Sequence, residues 1–517
     1  MSRKINNVAK YSLIITAILI LSKIMGYGRD LITGAVLGAT TESDVFRIST
    51  TIPNSVFSCV SAALVSVFIP VFSGIKDDRE EANKFVNNIT NIVILFCTVL
   101  AILSVIFAPY LVKAFAGGFQ NKSEALNLTI KFTRVVMPSI VFMGLTGIYI
   151  GYLQSYGIFL QPALTGFVAD IAIIFGMLVF YEKFGLMAAI VSFFIGAIAQ
   201  VLIQRPFMKG YKYKFYINFK DENIRKIFIL GIPVLISTAV SQINIMVDKN
   251  FASYLPAGSI TVVECATRIT SIINQVFTVS ITTVLYPMLT EKFAKSDFES
   301  FNKILIKTLN LVVIVAAPLI FGMTVLSLPL VKVMFEFKRF DAQAVYLTSL
   351  CLQFLTFSTL GYALLDTIGK IFFATRQTKI PMINGFISMG VNVALLYILV
   401  PMMGVKGTAI ATTLSALFIG FLMVFELKYK IKELEIKRFF TVLGKSLFSS
   451  AIMGAVVFYS FKLVSTVIVN NSKPFILCKI VIVTVIGAIV YILAMKIVKV
   501  KEIDDAVSIF IKKKTKK

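Results

Sequence analysis

The sequence predicts an all-α polytopic membrane protein with about fourteen transmembrane helices, and three observations support this fold class. Of the 517 residues, 57% are hydrophobic and only 15% are charged, and the mean hydropathy is +0.87. A soluble domain of this length would need far more polar surface to face water. Apolar runs of about 18 residues or more, long enough to cross a bilayer, recur from one end of the chain to the other. The basic residues collect in the short polar gaps between these runs.

Hydropathy, turn signals and charge together predict where each helix begins and ends. The first run, from Tyr11 to Met25, has no small-residue cleavage motif and continues into further apolar sequence, so it is predicted to be a retained span and not a signal peptide. The approximate bounds of the predicted helices are 8–38, 44–74, 83–112, 127–155, 160–182, 185–206, 224–254, 258–291, 301–333, 342–372, 379–400, 405–428, 440–463 and 475–497.

The gaps between the predicted helices alternate in charge. Lys and Arg are abundant at the N-terminus, in 204–226, in 428–445 and in the tail that ends KKKTKK, whereas gaps such as 38–44 and 255–259 contain little basic charge. An even number of helices with both termini in the cytoplasm satisfies this pattern, although 336–341 then puts two basic residues outside. The formal charge of +25 therefore indicates contact with an anionic leaflet and not with nucleic acid.

The two halves of the chain resemble each other weakly. The segment QPALTGF at 161–167 aligns with IPMINGF at 380–386, so the residue numbers differ by 380 − 161 = 219. Because an even number of helices separates equivalent positions, the repeats are parallel and related by an axis along the membrane normal, which is an architecture of transporters. Chance matching of apolar sequence is the alternative. Further matches at shifts of 217 to 219 are Gly185 with Gly404, Arg29-Asp30 with Asp248-Lys249, and Phe68-Ile69-Pro70 with Leu285-Tyr286-Pro287.

The repeat predicts three regions. Residues 1–215 form an N-lobe of helices 1–6, residues 216–430 form a C-lobe of helices 7–12, and residues 431–517 add helices 13 and 14 and a basic cytoplasmic tail. The two six-helix lobes are related by a pseudo-two-fold axis, and a site between them is the expected place for a cargo.

Several kinds of chemistry are not indicated by the composition. Histidine is absent, so the commonest general base and the histidine-based catalytic motifs are missing. The five cysteines are scattered through apolar stretches without metal-ligand spacing, as expected of small buried side chains. No phosphate-binding Gly-rich loop followed by Lys and Ser or Thr occurs either. The sequence therefore favours a transporter over an enzyme and predicts neither a cofactor nor a bound metal.

Ionisable residues inside the predicted spans are the candidate functional residues, because a charge in hydrocarbon is costly unless it meets water or a partner. Helix 1 contains Lys23, Arg29 and Asp30 within KIMGYGRD, all able to face one side. Arg29 and Asp30 are neighbours, which predicts that they do not pair squarely along one helix face and that Arg29 is freer to meet an outside anion. The alternative is that helix 1 ends early and Arg29 extends to the interface.

Other charges allow internal neutralisation. Asp44 and Arg47 are three residues apart and are expected to pair, and Glu264 and Arg268 are four apart, the spacing of an ion pair on one helix face. Asp248 and Lys249 are neighbours on diverging faces. Arginine suits phosphate because its fixed fork makes paired, charge-assisted hydrogen bonds. Arg29 and Arg268, one from each predicted lobe, are therefore candidates to hold a diphosphate together.

Several segments resemble the lipid II flippase family (MurJ, also called MviN) of the multidrug and polysaccharide exporter superfamily. The resemblance covers roughly residues 10–430, and the order and spacing of its motifs make it specific. These motifs are SKIMGYGRD at 22–30, GATTESDVF at 38–46, IPNSVF at 52–57, VFIPVF at 67–72, YLQSYGIFLQPAL at 152–164, CATRITSIINQVFTVSITTVLYPML at 265–289 and GVKGTAIATTLSA at 404–416.

The resemblance implies fourteen helices in two lobes and a monomer of the bacterial cytoplasmic membrane. It implies alternating access that carries lipid II, the undecaprenyl-diphosphate-linked peptidoglycan precursor, to the outer leaflet, with membrane lipids as further partners. The last two helices would help form a groove for the lipid tail. Substrate-binding positions of the family's cationic cavity fall on Arg29, Asp30, Arg268, Lys23 and Asp44.

The resemblance also implies a way to drive transport, by sodium ions or by the membrane potential. A sodium site described for some family members falls on Asp248, Asn392, Thr408 and Thr412. The sequence departs from the family pattern at Phe57, where an arginine is common, and at Ala62 and Leu396, where acidic residues occur. Arg47 is a candidate to replace the missing arginine.

Three alternative functions are weighed against the sequence. The first is export of another lipid-linked oligosaccharide or of a small amphiphile on the same fold. The second is a membrane enzyme acting on polyprenyl phosphates, but this class would be expected to show clustered aspartates or histidines at a membrane interface. A non-transporting scaffold would not need arginines within its spans.

Overall fold

The computed structural model describes residues 2–500 and residue 502, except 296, 338, 376, 378 and 432. For residues 2–17, 19–20, 62–63, 237, 273, 275–287, 294 and 374 it describes the backbone alone. The predicted basic tail ending KKKTKK and the side chain of Ala62 therefore lie outside the described part of the chain.

The described residues form α-helices joined by short connections, and the only strand-like feature among them is an isolated bridge between Phe337 and Phe340. The α-helices are α1 (Ser2–Leu37), α2 (Thr41–Ser73), α3 (Arg79–Ile106), α4 (Ala108–Phe115), α5 (Ser123–Val136), α6 (Ser139–Ser155), α7 (Leu160–Phe184), α8 (Leu186–Gln204), α9 (Glu222–Ser253), α10 (Ser259–Ala294), α11 (Phe298–Val325), α12 (Ser327–Phe335), α13 (Ala342–Ala374), α14 (Lys379–Met403), α15 (Val405–Lys430), α16 (Ile436–Val467) and α17 (Lys473–Ile497).

Each predicted segment coincides with one helix or with two consecutive helices. The breaks that hydropathy did not predict lie at Phe107, between α3 and α4, and at Leu326, between α11 and α12. A third break separates α5 from α6 at Pro138, with a bend of 43°. Proline has no backbone N–H to donate, so this break has a local cause.

Length and composition identify 11 helices in the described part of the chain that could cross a membrane, or up to 12 if the bent pair α5 and α6 is one span. Helices α1 and α10 are not among these, and part of each is described by its backbone alone. The all-α polytopic fold class is confirmed, whereas the count of fourteen spans stays a prediction.

The numbering offset of 219 that the sequence suggested recurs in the helix bounds. The first residues of α3 and α11 differ in number by 298 − 79 = 219, and their last residues by 325 − 106 = 219. α7 and α14 have the same offset at both ends, 379 − 160 = 219 and 403 − 184 = 219. The breaks at Phe107 and Leu326 share it as well. These coincidences support an internal repeat, while the pseudo-two-fold relation of two lobes stays a prediction.

Gly185 and Gly404, which the sequence aligned, have the same backbone role. Each follows the last residue of a helix with a positive φ, 56° and 59° respectively. Glycine adopts this left-handed region without a steric penalty from a Cβ atom. The next helix therefore starts at the following residue, Leu186 or Val405.

Packing divides the chain into two compact units. The first comprises Met1–Thr261 with Phe337–Phe340, and the second comprises Val262–Glu336 with Asp341–Lys517. The first unit extends beyond the predicted N-lobe because α9 packs against α2. Packing groups helices by contact, whereas a repeat groups them by sequence equivalence, so the division at 215 and 430 stays a prediction.

Each unit has its own apolar core. In the first, Phe68, Phe72 and Phe85 lie with their ring centroids 5.2 to 6.1 Å apart, between α2 and α3. In the second, Phe372 of α13 and Phe439 of α16 are fully buried among side chains of α11 and α15. Burial of such side chains contributes about 1.5–3 kcal/mol each relative to exposure to water.

The connection between α8 and α9 is held in an extended path by asparagines of α3. Asn87 donates to the carbonyl of Lys212 at 3.0 Å and accepts from the N–H of Lys214 at 2.9 Å. Asn88 makes the same paired contact with Asn218, at 2.9 and 2.7 Å. Asn83 and Asn91 extend the series with contacts to Gly210, Lys212, Lys214 and Tyr216. We call these four asparagines the asparagine ladder.

Two members of the ladder, Asn83 and Asn91, have equivalents at the same offset, Asn302 and Asn310 in α11. Asn302 donates to Glu433, in the connection that follows α15, at 3.4 Å. Asn310 donates to Glu502, beyond α17, at 2.8 Å. In both halves, asparagines of equivalent helices therefore bind a segment that follows a later helix.

Candidate functional site

Arg29 and Asp30 lie where α1 packs against α7. Small residues permit the close approach: a Cβ atom on Gly26 would lie 3.0 Å from Oδ2 of Asp170, and one on Gly166 would lie 3.1 Å from Oγ of Ser22. Thr33 continues the interface by donating to Sδ of Met177 at 3.5 Å. Small residues at such spacing are typical of closely packed helices in membranes.

Arg29 forms a charged cluster with two aspartates at this interface. Its Nη2 and Nε atoms lie 2.9 and 3.2 Å from Oδ1 of Asp30, and its Nη1 atom lies 2.9 Å from Oδ1 of Asp170. The side chain of Arg29 is 26% exposed, whereas those of Asp30 and Asp170 are 9% and 10% exposed. We call these three residues the Arg29 cluster.

The prediction that Arg29 and Asp30 do not pair squarely, leaving Arg29 freer to meet an outside anion, is wrong. The spacing rule for helices describes pairs whose side chains run along one face. The guanidinium of Arg29 is long enough to fold back on its neighbour and presents Nε and Nη2 to the same carboxylate oxygen. Arg29 is therefore held on two sides, by its own helix and by α7.

The sequence reasoning missed Asp170. Its signal was present, since Asp170 is an acidic residue within the apolar run of α7, where a charge requires a partner. The cluster contains one positive and two negative formal charges, held largely out of solvent. Guanidinium has five donor hydrogens, so Arg29 can exchange carboxylate oxygens for phosphate oxygens without a change in its own charge.

Both carboxylate oxygens of Asp44 accept hydrogen bonds at the start of α10. Its Oδ2 atom accepts from the N–H of Gly258 at 2.7 Å, and its Oδ1 atom accepts from the N–H and the hydroxyl of Thr261 at 2.9 and 2.8 Å. Asp44 is only 3% exposed. It therefore satisfies backbone donors at a helix N-terminus, which a carboxylate stabilises. The role of Asp44 in substrate binding stays a prediction.

The same end of the first unit contains a second polar contact between connections. Tyr181 donates to Glu42 at 2.7 Å and accepts from Arg339 at 2.9 Å, and Arg339 lies 3.7 Å from Glu42. Gly38, with a φ of 68°, lies against the backbone of Arg339 so closely that a side chain would clash. Arg339, one of the two basic residues that disagreed with the predicted charge pattern, is therefore paired with an acidic residue, and the other, Lys338, lies outside the described residues.

The other predicted binding residues are distributed over both units. Lys23 is exposed on α1 and precedes Arg29 by six positions. Arg268 and Glu264 are partly buried on α10, in the second unit, whereas the Arg29 cluster is in the first. Convergence of Arg29 and Arg268 on one diphosphate stays a prediction, as does the pairing of Asp44 with Arg47.

The predicted ion-coupling residues are likewise divided between the units. Asn392 of α14 and Thr408 of α15 are buried, and these two helices pack against each other. The hydroxyls of Thr408 and Thr412 donate to carbonyls of their own helix at 2.7 and 3.0 Å. Asp248 lies on α9 in the first unit. No group of three or more His, Cys, Asp or Glu residues that could hold a metal occurs in the described part of the chain.

Comparison with known proteins identifies the family. The sequence profile described as "Lipid II flippase MurJ" matches residues 34–479. A protein of Buchnera aphidicola subsp. Acyrthosiphon pisum, "Probable lipid II flippase MurJ", is 27% identical over 440 residues, which cover 84% of this chain and 86% of that protein. "Lipid II flippase MurJ" of Burkholderia cenocepacia is 23% identical over 424 residues, covering 79% and 82% respectively.

Solved structures agree with this result. A structure titled "Lipid II flippase MurJ, inward closed conformation" has a TM-score of 0.79 at 27% identity and covers 94% of this chain and 98% of its own. An inward-facing multidrug resistance transporter of the MATE family has a TM-score of 0.67 at 13% identity, covering 82% and 98%, and this likeness concerns the fold alone. The match over most of the sequence and over the fold shows that this chain belongs to the MurJ family of lipid II flippases.

Proposed function

We propose that this chain carries lipid II from the inner to the outer leaflet of the bacterial cytoplasmic membrane by alternating access, and that Arg29 is one of the groups that hold the diphosphate. The observation that carries this proposal is the Arg29 cluster, in which an arginine within α1 is partly exposed and bound by two carboxylates. A structural ion pair alone would not require exposure of a quarter of the arginine side chain.

The two aspartates accept hydrogen bonds from the guanidinium of Arg29 in the way that a diphosphate would. Carboxylate and phosphate oxygens both accept paired hydrogen bonds from guanidinium. On substrate entry, phosphate oxygens replace Asp170 or Asp30 at Nη1, Nη2 or Nε of Arg29, and Arg268 contributes a second guanidinium from the other lobe. When the diphosphate leaves, the aspartates take back the arginine, so that its charge is never left without a partner in a medium of low dielectric constant.

The contacts around Asp44 and Tyr181 belong to the closed state of the outer side in this proposal. Asp44 ties the start of α2 to the start of α10, and Glu42 and Tyr181 tie α2 and α7 to Arg339. Opening towards the outer leaflet requires these contacts to break. Each hydrogen bond to a charged group contributes about 1.5–3 kcal/mol, so a few of them suffice to keep the outer side closed.

Transport needs no chemical step, so the chain acts as a monomeric transporter and not as an enzyme. Both termini lie in the cytoplasm, where the basic connections meet the anionic leaflet. A charge that crosses the membrane potential changes its energy by about 2.3 kcal/mol per 100 mV, enough to bias a two-state transporter. Sodium binding at Asp248, Asn392, Thr408 and Thr412 is the second candidate for the driving force.

Complementation tests the proposal. A host depleted of its own lipid II flippase is supplied with the wild type, Arg29→Ala, Arg29→Lys, Arg268→Ala or Arg79→Ala, all at matched membrane levels. Arg79 is the control because it is an exposed arginine at the start of α3. We expect rescue of growth and of outward lipid II exposure by the wild type and Arg79→Ala, loss in both alanine variants, and partial rescue by Arg29→Lys.

The outcomes separate the function from the site. Failure of the wild type to expose lipid II at matched levels contradicts the function. Full rescue by Arg29→Ala and Arg268→Ala leaves the function intact but removes the proposed diphosphate site. Purified protein titrated with lipid II, with and without sodium, tests the ion: an unchanged affinity excludes coupling through sodium binding at this step.

A further inference from the structure

An apolar groove lies between α2, α3 and α9 in the first unit, away from the Arg29 cluster. It contains about 610 Å³ of empty space, part of it open to the surroundings. Its walls include Val60 and Leu64 of α2, Ile89 and Phe96 of α3, and Phe228 and Ile232 of α9. By length and composition, all three helices are among those that could cross a membrane.

The lining of the groove is suited to a hydrocarbon chain. Phe96 and Phe228 are each 50% exposed and Ile232 is 55% exposed, although all three border the groove. Gly231, at the centre of the α9 wall, contributes no side chain and leaves the groove deep. Apolar walls with one open side bind a flexible apolar chain through contact area and without hydrogen bonds.

Basic residues lie at the end of the groove nearest the connection between α8 and α9. Arg225 is exposed and lies three residues before Phe228 and seven before Ile232, which places it on the same face of α9. Lys84 is exposed and lies five residues before the groove residue Ile89, about one and a half turns closer to the start of α3. Its Nζ atom lies 5.3 Å from the ring centroid of Tyr216.

The asparagine ladder fixes the basic end in position. Asn88 binds both the N–H and the carbonyl of Asn218, which anchors the connection beside the groove. Asp221 then begins α9 by accepting from the N–H groups of Asn223 and Ile224. Lys226, the residue after Arg225, is already paired with Glu222 at 2.9 Å, so Arg225 is better placed than Lys226 to attract an anion at this end of α9.

We propose that this groove binds one anionic phospholipid, with an acyl chain between α2, α3 and α9 and the phosphate beside Arg225 and Lys84. Charge complementarity identifies the occupant, because a zwitterionic lipid would gain the apolar contact but not the attraction to two cations. The site lies on the basic side of the chain, which the charge pattern assigns to the anionic leaflet. The proposal is independent of the flippase function, since it involves none of the residues assigned to the diphosphate.

Titration of the purified full chain in mixed micelles with phosphatidylglycerol or phosphatidylcholine tests the proposal. Binding is counted by native mass spectrometry, and the shift in the melting temperature is followed in parallel. We expect saturable binding of one phosphatidylglycerol and weaker, unsaturated binding of phosphatidylcholine. Each basic residue near an anionic headgroup contributes about fivefold in affinity, so Arg225→Ala with Lys84→Ala should lower it by about 25-fold.

Two further variants separate the groove from its rim. Gly231→Phe fills the groove and keeps both cations, so it should also weaken phosphatidylglycerol binding, and Gly231→Leu replaces it if the larger side chain prevents folding. Lys437→Ala removes an exposed charge of α16 and should leave binding unchanged.

Three results would overturn the proposal. Equal binding of phosphatidylglycerol and phosphatidylcholine means that the groove holds ordinary surrounding lipid. Unchanged binding in both the rim and the groove variants means that the phospholipid binds elsewhere. Displacement of phosphatidylglycerol by equimolar undecaprenyl diphosphate means that the groove is a docking site for the transported lipid instead.

Discussion

The two halves of the chain differ most at the positions of the Arg29 cluster. In the first half, Arg29 and Asp30 of α1 pair with each other and with Asp170 of α7. At the equivalent positions the order of charge is reversed and the acidic residue of the second helix is missing. The residues at these equivalent positions are Asp248, Lys249 and Met389.

The local contacts differ accordingly. Lys249 donates to the hydroxyl of Thr51 in α2 at 2.7 Å, so it contacts a helix of the first half. The helix bounds and the glycine turns at 185 and 404 nevertheless repeat at the same offset. The repeat therefore preserves backbone geometry, which depends on few residues, while the polar chemistry of each half has diverged.

The largest expected effect comes from removing the charges of the Arg29 cluster, which the second half does not share. Arg29→Met removes the guanidinium that Asp30 and Asp170 both bind, and breaking such a pair costs about 3–5 kcal/mol when it is fully buried. Because the side chain of Arg29 is 26% exposed, we expect the free energy of unfolding to fall by about 3 kcal/mol, the lower end of this range. The triple variant Arg29→Met, Asp30→Leu, Asp170→Met should recover most of this stability, since it removes the two carboxylates together with the guanidinium that they bind.

Neither variant should support transport. Denaturation in detergent measures stability, and rescue of a flippase-depleted host measures function, with Arg79→Met as the control. A triple variant that is stable and inactive separates the two roles of the cluster. Growth on the triple variant would show that the cluster is only structural.

A smaller effect is expected at Asp44, whose equivalent in the second half is the apolar Val263. Asp44→Ala removes the acceptor of two buried backbone N–H groups at the start of α10 and should destabilise the protein by about 2 kcal/mol. Glu42→Ala, two residues earlier and half exposed, is the matched control and should cost less than about 1 kcal/mol. Equal losses in the two variants would contradict the capping role, and thermal unfolding provides the measurement.

The smallest effect concerns two glycines of α1 that lie two residues apart. A Cβ atom on Gly26 would meet Oδ2 of Asp170 at 3.0 Å, whereas one on Gly28 would meet no atom within 4 Å. Alanine is about 1 kcal/mol better than glycine inside a helix, so Gly28→Ala should stabilise the protein slightly. Gly26→Ala should lose that gain through the tight contact, giving a difference of about 1 kcal/mol in unfolding free energy. Identical unfolding curves would show that α1 and α7 are packed less closely than described.

The sequence predicted the helices well because apolar runs and short polar gaps mark membrane spans directly. It did not predict the breaks at Phe107 and Leu326, which lie within apolar sequence. The nearby Pro109 and Pro329 were available as signals, since proline is common in the first turn of a helix. The break at Leu326 lies 219 residues after the break at Phe107, the same offset as the repeat, so either break would have predicted the other. The repeat therefore predicts helix breaks that hydropathy alone does not.

The site was only partly predictable. Arg29 stood out as a charge in an apolar run, and so did its neighbour, but their pairing depends on how far a guanidinium can fold back. Asp170 becomes significant only when α1 and α7 are in contact, 141 residues apart in the sequence. Asp44 likewise shows its partner only in three dimensions, because Gly258 is 214 residues away. Helix periodicity contains no information about such distant contacts.

The asparagine ladder also bears on how the protein is made. The asparagines of α3 leave the ribosome before residues 210–218, so their side chains are in place when the segment that they bind is synthesised. Only two residues separate the last ladder contact, at Asn218, from Asp221, which begins α9. The entry point and direction of the first helix of the second half are therefore set by a helix that has already been inserted. This anchor thus limits where α9 can begin relative to α3.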